Sequence, residues 1–237
     1  MTASVYVGVS GFSYVGWKGK FYSEDAKSEE FLTQYAQRLE SVEINSSFYA
    51  SPSSAIVKNW SERTSEKFRF SFKAPRFITH IMKLGEGSSE AADRFSKGLD
   101  SLGQRRGPIL FQLPPYSKED QKLLDGFISK TSGIENRVFE FRHDSWLKDS
   151  TYRLLEGHGA GFCITETEEM RPVFRVTGGF AYFRLRKDSY DLKSVDRWAE
   201  EIRKAAKDVE SYVYLRHDET GENAVLAQRL SGKLQGK

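Results

Sequence analysis

Eight strand-like segments, most of them followed by a helical segment, constrain the fold of this chain more than any other feature. The strand segments are 5–10, 41–45, 68–73, 109–113, 137–142, 161–165, 180–186 and 211–216. Regular alternation of strands and helices predicts a parallel sheet covered by helices. Eight such repeats predict a TIM-like (β/α)8 barrel with a degenerate sixth helix, because residues 167–179 lack an apolar stripe.

Helical periodicity defines the connecting segments. The predicted helices cover about 28–39, 52–60, 89–102, 151–156 and 192–206, one that follows a capping-box sequence at 117–120, and a closing helix through 224–230. No linker-like composition interrupts this pattern. We therefore predict a single domain over residues 1–237.

Composition excludes several classes of protein. No run of 18 apolar residues exists, which argues against a membrane span. A strand is predicted to begin near Val5, so we expect no signal peptide, and a single cysteine, Cys163, rules out an internal disulfide. We therefore expect a cytoplasmic protein. The net charge of +3 is too small to mark the whole surface as nucleic-acid binding.

The polar residues that end the strands predict where a site lies. Parallel strands open their carboxyl ends onto one face of a barrel, and sites are built there. Strand side chains alternate, so if Phe68, Phe70 and Phe72 face the helices, Lys73 faces the barrel axis. The same parity predicts two carboxylates and several cations at the barrel mouth: Glu43, Glu140, Lys73, Arg142, Arg184, Arg186 and Arg216.

Excess positive charge in a partly closed mouth is costly unless an anion compensates it. We therefore predict a small anionic, phosphate-bearing ligand held by arginine forks. The residues expected to contact it are Ser10, Tyr14, Asn45, Arg76, Gln112, Arg142, Arg184, Arg186 and Arg216. The alternative is a network that only closes the barrel, in which the arginines pair with Glu43, Glu140, Asp144, Glu166 and Asp218.

Five residues near the strand ends are candidates for catalysis: Glu43, Lys73, His80, Glu140 and His217. The two glutamates could act as an acid/base pair, as in glycosidases. A desolvated Lys73 could act as a Schiff-base nucleophile, and its alternative role is an ion pair with a barrel glutamate. His80 and His217 could transfer protons or simply bond to their own loops.

The histidines and Cys163 lack metal-ligand spacing, so the sequence assigns no metal-ligating residue and no cofactor. A divalent cation shared by Glu43, Glu140 or Asp218 with a substrate phosphate is an alternative that this spacing does not indicate.

Aromatic residues follow several strands, among them Tyr14, Trp17, Phe48, Tyr49 and Trp146. Aromatic rings beside arginines suit stacking on a base or sugar. A non-catalytic module that binds single-stranded nucleic acid is therefore the second hypothesis. For Trp17 and Trp146 we favour burial over the barrel rim.

Several motifs together carry a family resemblance. They are 7–14 (VGVSGFSY) with Trp17 and 21–22, 42–49 (VEINSSFY), 70–76 (FSFKAPR) with 78–80, 110–115 (LFQLPP), 140–143 (EFRH) with 145–146, 182–185 (YFRL), and 214–218. The chain resembles the domain-of-unknown-function 72 (YecE-like) family along its whole length. The resemblance implies a TIM-barrel-like fold and no established activity.

That barrel is similar in outline to xylose isomerase and endonuclease IV, which suggests nucleic-acid or phosphate chemistry. The metal-binding histidines of endonuclease IV are not recognisable here, which argues against a trinuclear zinc site. Many family members have Arg-Leu-His-Gly at the seventh strand and Asn-Asn-Asp after the eighth. Here the chain has Arg184-Leu185-Arg186-Lys187 and Arg216-His217-Asp218, so we expect a more anionic ligand.

Our first hypothesis is thus a barrel enzyme of hydrolase or lyase type, acting on an anionic small molecule or a nucleic-acid fragment. A salt-bridge scaffold with no ligand is the third. The sequence predicts no membrane partner and leaves the oligomeric state open.

Overall fold

The computed structural model describes residues 3–236 and contains one sheet of eight parallel strands. The strands are β1 (Val5–Val9), β2 (Ser41–Ile44), β3 (Arg69–Lys73), β4 (Arg106–Gln112), β5 (Arg137–Glu140), β6 (Gly161–Glu166), β7 (Phe180–Leu185) and β8 (Glu210–Leu215). Their order is β1-β8-β7-β6-β5-β4-β3-β2, and a bridge between Ser10 and Glu43 joins the two ends. The TIM-like (β/α)8 barrel is therefore confirmed. The predicted domain range of 1–237 also includes Met1, Thr2 and Lys237, which lie outside the described residues.

Among residues 3–236, seven α-helices lie between the strands or after β8. They are α1 (Phe31–Ala36), α2 (Ser54–Glu62), α3 (Ser88–Lys97), α4 (Gln121–Lys130), α5 (Asp149–Gly157), α6 (Leu192–Ala205) and α7 (Glu222–Gln235). Residues 167–179 between β6 and β7 contain no helix, as predicted. No helix among residues 3–236 is long and apolar enough to cross a membrane.

Three predicted helix boundaries are wrong. The helix expected over 28–39 is a 3-10 turn followed by α1, which ends where the Arg38 amide bonds to the Tyr35 carbonyl, three residues back. The helix expected to reach Leu102 stops at Lys97, before Gly98, and continues as 3-10 turns. The N-cap of α4 is Asp120, the last residue of the 117–120 sequence and not its first. Its carboxylate accepts a hydrogen bond from the Leu123 amide at 2.9 Å.

The core has two layers because strand side chains alternate. Outward-facing side chains such as Phe70 and Phe72 pack beneath the helices in one large cluster. A second, inner cluster fills the barrel: Tyr6, Leu110, Val138, Cys163, Phe180, Tyr182, Tyr212 and Tyr214. Ser71 faces the same interior and lies 2.7 Å from the Tyr214 hydroxyl. The parity predicted for β3 is therefore correct.

Gly8 allows the barrel to close. A Cβ atom at this position would lie 2.0 Å from the backbone oxygen of Ser41, which no side chain could tolerate. β1 can therefore approach β2 closely, and the next inward position, Ser10, comes to lie beside Glu43. The polar side chains that follow form a layer directly above the tyrosines of the inner cluster.

Candidate functional site at the barrel mouth

A buried ion-pair network occupies the carboxyl ends of the strands. The side chains of Glu43 and Glu140 are fully buried, and that of Arg184 is 1% exposed. The Arg184 guanidinium donates to both Glu43 oxygens at 2.8 Å and to one Glu140 oxygen at 2.5 Å. One arginine thus bridges two carboxylates across the barrel, a pairing in which the fork geometry of the guanidinium is fully used.

Neighbouring groups complete the network around Glu43. The Tyr182 hydroxyl donates to Oε1 at 2.9 Å, and the Ser10 hydroxyl lies 3.2 Å from Oε2. Arg186 donates in turn to Ser10. Burial alone would raise the pKa of Glu43, but the charge and hydrogen bonds of Arg184 outweigh burial and lower it.

Glu140 has a second cationic partner. Arg142 donates to its other oxygen, and Gln112, the register partner of Glu140, accepts from Arg184 at 3.4 Å. Burial would raise the pKa of Glu140, but Arg184 and Arg142 together hold it at about 2. Both glutamates are therefore ionised at neutral pH, which favours a role in holding cations over a role as proton donors.

Two cations of the mouth remain outside these ion pairs. Among residues 3–236, no carboxylate oxygen lies within 4.0 Å of the Arg186 guanidinium or the Lys73 ammonium. Burial and the charge of Arg184 lower the pKa of Arg186 to about 10 and that of Lys73 to about 8. The deep part of the mouth therefore holds four cations against two carboxylates.

Lys73 lies beside an aromatic ring. Its Nζ is 4.0 Å from the centroid of the Phe48 ring, a cation–π contact. The turn after β2, which carries Phe48, is held beside β3 because the Ser47 hydroxyl donates a hydrogen bond to the Lys73 carbonyl oxygen at 2.6 Å. A π-helical turn, Phe77–Ile81, follows β3 and places the His80 ring 4.9 Å from the same phenylalanine. Such turns are frequent at functional sites.

His217 lies on the opposite side of the mouth, stacked on Tyr14 with ring centroids 4.7 Å apart. Its Nδ1 is buried and has no hydrogen-bond partner in the described chain. Burial and the charges of Arg186 and Arg216 lower the pKa of His217. Burial, Lys73 and Arg76 do the same for His80, so both imidazoles are neutral near pH 7 and can accept protons.

A cavity of about 400 Å³ opens above this layer. Its lining residues are Arg142, Thr167, Glu168, Glu169, Arg186, Asp188, Arg216 and His217. The floor is cationic, and the wall carries exposed carboxylates, of which Asp188 pairs with Arg216. The unpaired positive charge of the cavity therefore lies at its floor, where Arg186 stands beside Arg142.

The remaining predicted site residues are more peripheral. Arg76 is exposed at the start of the π-helical turn. Asn45 lines a smaller cavity of about 350 Å³ with Tyr14 and Trp60, and its buried Oδ1 has no partner among residues 3–236. Trp17 and Trp146 are buried, as favoured from the sequence.

Three of the expected acidic partners are wrong. Glu166 points outward, because β6 alternates, and pairs with Lys187 and Arg197. The Asp218 carboxylate accepts backbone amides at the start of α7. Asp144 forms no ion pair in the described part of the chain.

Two contributors were not anticipated. The sequence placed Tyr182 in the seventh strand and in a family motif but not in the site, although its inward parity, shared with Arg184, could have indicated contact with the network. Phe48 was recognised as aromatic, but no sequence signal connected it with Lys73.

Comparison with known proteins decides the family. The family described as "Protein of unknown function DUF72" matches residues 6–237. This chain belongs to the DUF72 family. The resemblance noted from the sequence is thereby confirmed.

Among residues 3–236, no group of three or more His, Cys, Asp or Glu side chains is arranged to hold a metal ion.

Curated relatives of this DUF72 chain carry no functional name. UPF0759 protein YecE of Escherichia coli (strain K12) is 29% identical over 140 residues, which are 59% of this chain and 48% of the relative. UPF0759 protein YunF of Bacillus subtilis (strain 168) is 26% identical over 156 residues, 62% of this chain and 54% of the relative. The chain thus spans about half the length of the curated relatives it matches.

Solved structures of the family show the same fold. A DUF72 protein from Thermotoga maritima superposes with a TM-score of 0.85 at 27% identity, covering 98% of this chain and 99% of the other. A DUF72 protein from Enterococcus faecalis gives 0.76 at 15% identity, covering 99% and 98%.

Proposed function

We propose that this DUF72 protein is an enzyme that acts on a small anionic, phosphate-bearing molecule bound at the carboxyl end of the barrel. The observation that supports it is the pair of cations, Arg186 and Lys73, that the buried carboxylates do not neutralise. A half-buried guanidinium with no carboxylate partner among residues 3–236 is costly, and a bound phosphate or carboxylate would lower that cost.

The roles follow from the geometry. Arg142 and Arg186 face the cavity and would hold the anion, while Arg184 fixes the two glutamates beneath them. The same cations would stabilise negative charge that develops during the reaction. His80 and His217, both neutral near pH 7, are better suited to accept a proton than the ionised glutamates.

A thermal-shift panel of inorganic phosphate, sugar phosphates, nucleotides and neutral sugars tests this proposal on wild type, Arg186→Gln and Arg229→Gln. Arg229 is an exposed arginine on α7, so its variant controls for the loss of one charge. Ligand at about 100 times its Kd should add about 2.7 kcal/mol of stability. We expect one anionic class to stabilise wild type and Arg229→Gln but not Arg186→Gln. Equal shifts in all three proteins, or none, would refute the anion site.

A second candidate, binding of single-stranded nucleic acid, rests on exposed aromatic side chains around one side of the mouth. Tyr49, Phe77 and Tyr116, which follow β2, β3 and β4, are 84%, 50% and 62% exposed. The Lys83 ammonium lies 5.4 Å from the Tyr116 ring centroid. Rings beside cations are suited to stack on bases, each stacked base contributing about 1–3 kcal/mol.

Oligonucleotide titrations at several salt concentrations test this candidate. If it is right, Tyr116→Ala weakens binding about 5- to 150-fold, and affinity falls steeply with salt. Loss of binding in Arg186→Gln with no effect of Tyr116→Ala would instead assign the oligonucleotide phosphate to the barrel floor.

A further inference from the structure

Among residues 3–236, Lys73 differs from Arg142, Arg184 and Arg186 in having no polar side-chain partner. Arg184, Arg142 and Arg186 each donate to a side chain of the network. The Lys73 ammonium makes no side-chain hydrogen bond and no ion pair within 4.0 Å in the described part of the chain. Its Nζ lies 4.0 Å from the centroid of the Phe48 ring, and Phe48 is 9% exposed.

The glutamates do not neutralise Lys73 because other groups engage them. Both Glu43 oxygens accept from Arg184, and Tyr182 and Ser10 add further bonds. The two Glu140 oxygens accept from Arg184 and Arg142. The ion pair that the sequence offered as an alternative for Lys73 is therefore not formed.

This environment favours the neutral, nucleophilic form of the amine. Burial and the positive charge of Arg184 lower the pKa of Lys73 to about 8, and Glu140 and Glu43 only partly oppose them. About one tenth of the amine is then neutral at pH 7, against about one in three thousand for a lysine of ordinary pKa. A desolvated lysine beside other cations is the usual form of an imine-forming nucleophile.

We propose that Lys73 forms an imine with an aldehyde or ketone whose anionic group is held by Arg142 and Arg186. The substrate class is thus a carbonyl compound that carries a phosphate or carboxylate. This inference rests on the proposed function for the anion site, and it adds the covalent step and the electrophile.

The step balances without an oxidant or reductant. The Nζ lone pair attacks the carbonyl carbon, and the carbonyl oxygen takes up a proton to give a carbinolamine. The nitrogen loses a proton to solvent or to His80, whose ring packs on the same Phe48. The hydroxyl then leaves with a proton as water, and a C=N bond replaces C=O.

Borohydride trapping tests the inference directly. Pyridoxal 5′-phosphate, an aldehyde with a phosphate, is incubated with the protein and the imine is reduced to a stable secondary amine. Intact mass and peptide mapping then give the extent and the site of labelling. The proteins are wild type, Lys73→Arg, which keeps the charge but cannot form an imine, and Lys97→Arg as a control. Lys97 is an exposed lysine that pairs with Asp93 at 2.7 Å.

We expect Lys73 to be the dominant labelled site at low reagent. Total labelling should fall at least about 10-fold in Lys73→Arg and remain unchanged in Lys97→Arg, with a rate that rises through pH 8. Labelling spread over surface lysines, equal in wild type and Lys73→Arg, would overturn the inference.

Two further arms separate this inference from the proposed function. If phosphate stabilises wild type through Arg186 but no adduct forms at Lys73, the anion site stands and the imine is refuted. If pyridoxal, which lacks the phosphate, labels Lys73 as fast as pyridoxal 5′-phosphate, the nucleophile stands and the anion assignment is refuted.

Discussion

Replacing Arg184 by Met tests whether the ion-pair network holds the mouth of the barrel together. Methionine fills much of the same volume. Among residues 3–236, it leaves the hydroxyls of Tyr182 and Ser10 as the hydrogen-bond partners of Glu43, and Arg142 as that of Glu140. Breaking a buried ion pair by removing one partner typically costs about 3–5 kcal/mol, because a buried charge is left uncompensated. Arg184 serves two carboxylates, so we expect at least the lower figure.

The pH dependence gives a sharper signature. In wild type the pKa of Glu140 falls from 4.5 to about 2, equivalent to about 3 kcal/mol at ~1.4 kcal/mol per unit. A depressed carboxyl pKa stabilises the fold above the unfolded pKa, and this contribution is lost as pH falls from about 4.5 toward 2. In Arg184→Met the buried carboxyls favour protonation instead, so the variant should lose most at pH 7 and least near pH 4.

Urea unfolding at pH 4, 5.5 and 7, followed by the fluorescence of buried tryptophans such as Trp17 and Trp198, measures the effect. At pH 7 the melting temperature should fall by roughly 6–20 °C, since a chain of this size loses about 2–4 °C per kcal/mol. Arg197→Gln, which removes an exposed arginine paired with Glu166, is the control and should cost less than about 1 kcal/mol.

A loss below about 1 kcal/mol in Arg184→Met, or an equal loss at pH 4 and pH 7, would contradict this account of the network. A triple variant with Glu43→Gln and Glu140→Gln should recover much of the stability, because neutral amides replace the uncompensated charges. If it does not, the cost arises from packing rather than from charge.

Three further predictions follow from individual contacts. Lys73→Met should stabilise the protein by about 1–3 kcal/mol below pH 8. This gain over wild type should shrink between pH 8 and 10.5, because in that range the unfolded chain still binds the proton that Lys73 has lost in the folded protein. Urea titrations from below pH 8 to pH 10.5 measure both effects. Gly8→Ala should destabilise by about 3 kcal/mol or prevent folding, because its Cβ would lie 2.0 Å from the Ser41 oxygen; wild-type expression and melting temperature would contradict this. Asp218→Ala should cost about 1–2 kcal/mol by uncapping the start of α7, and Asp218→Asn less, as thermal unfolding would show.

Strand parity made the position of the buried ion-pair network predictable from the sequence. Alternation in β3 required that Lys73 face inward once the phenylalanines faced the helices, and the same rule placed Glu43, Glu140 and Arg184 together. These predictions depend only on the pleat of the strand and on the parallel arrangement, both of which the sequence signals locally. They therefore survived errors of several residues in the helix boundaries.

Pairing within the site was not predictable in the same way. On the neighbouring strands β6 and β7, the register partner of Arg184 is Thr165, and Glu166 is the next residue. Because side chains alternate along a strand, the Glu166 side chain lies outside the barrel and pairs with Arg197. The Asp218 carboxylate accepts hydrogen bonds from backbone amides at the start of α7 instead of pairing with an arginine of the mouth. Which cation is left without a carboxylate depends on three-dimensional distances between strands far apart in sequence.

The arrangement of charge itself argues for use rather than for closure alone. A network that only closed the barrel would balance its charges, since every unmatched buried cation costs stability. Here Arg184 and Arg142 satisfy the two glutamates, and Arg186 and Lys73 add positive charge that burial and Arg184 make unfavourable, as their lowered pKa values show. This excess supports the proposed anion site, because perturbed pKa values of this kind cluster at functional sites. Substitutions of Arg186 and Lys73, rather than of residues in the buried network, should therefore separate effects on function from effects on stability.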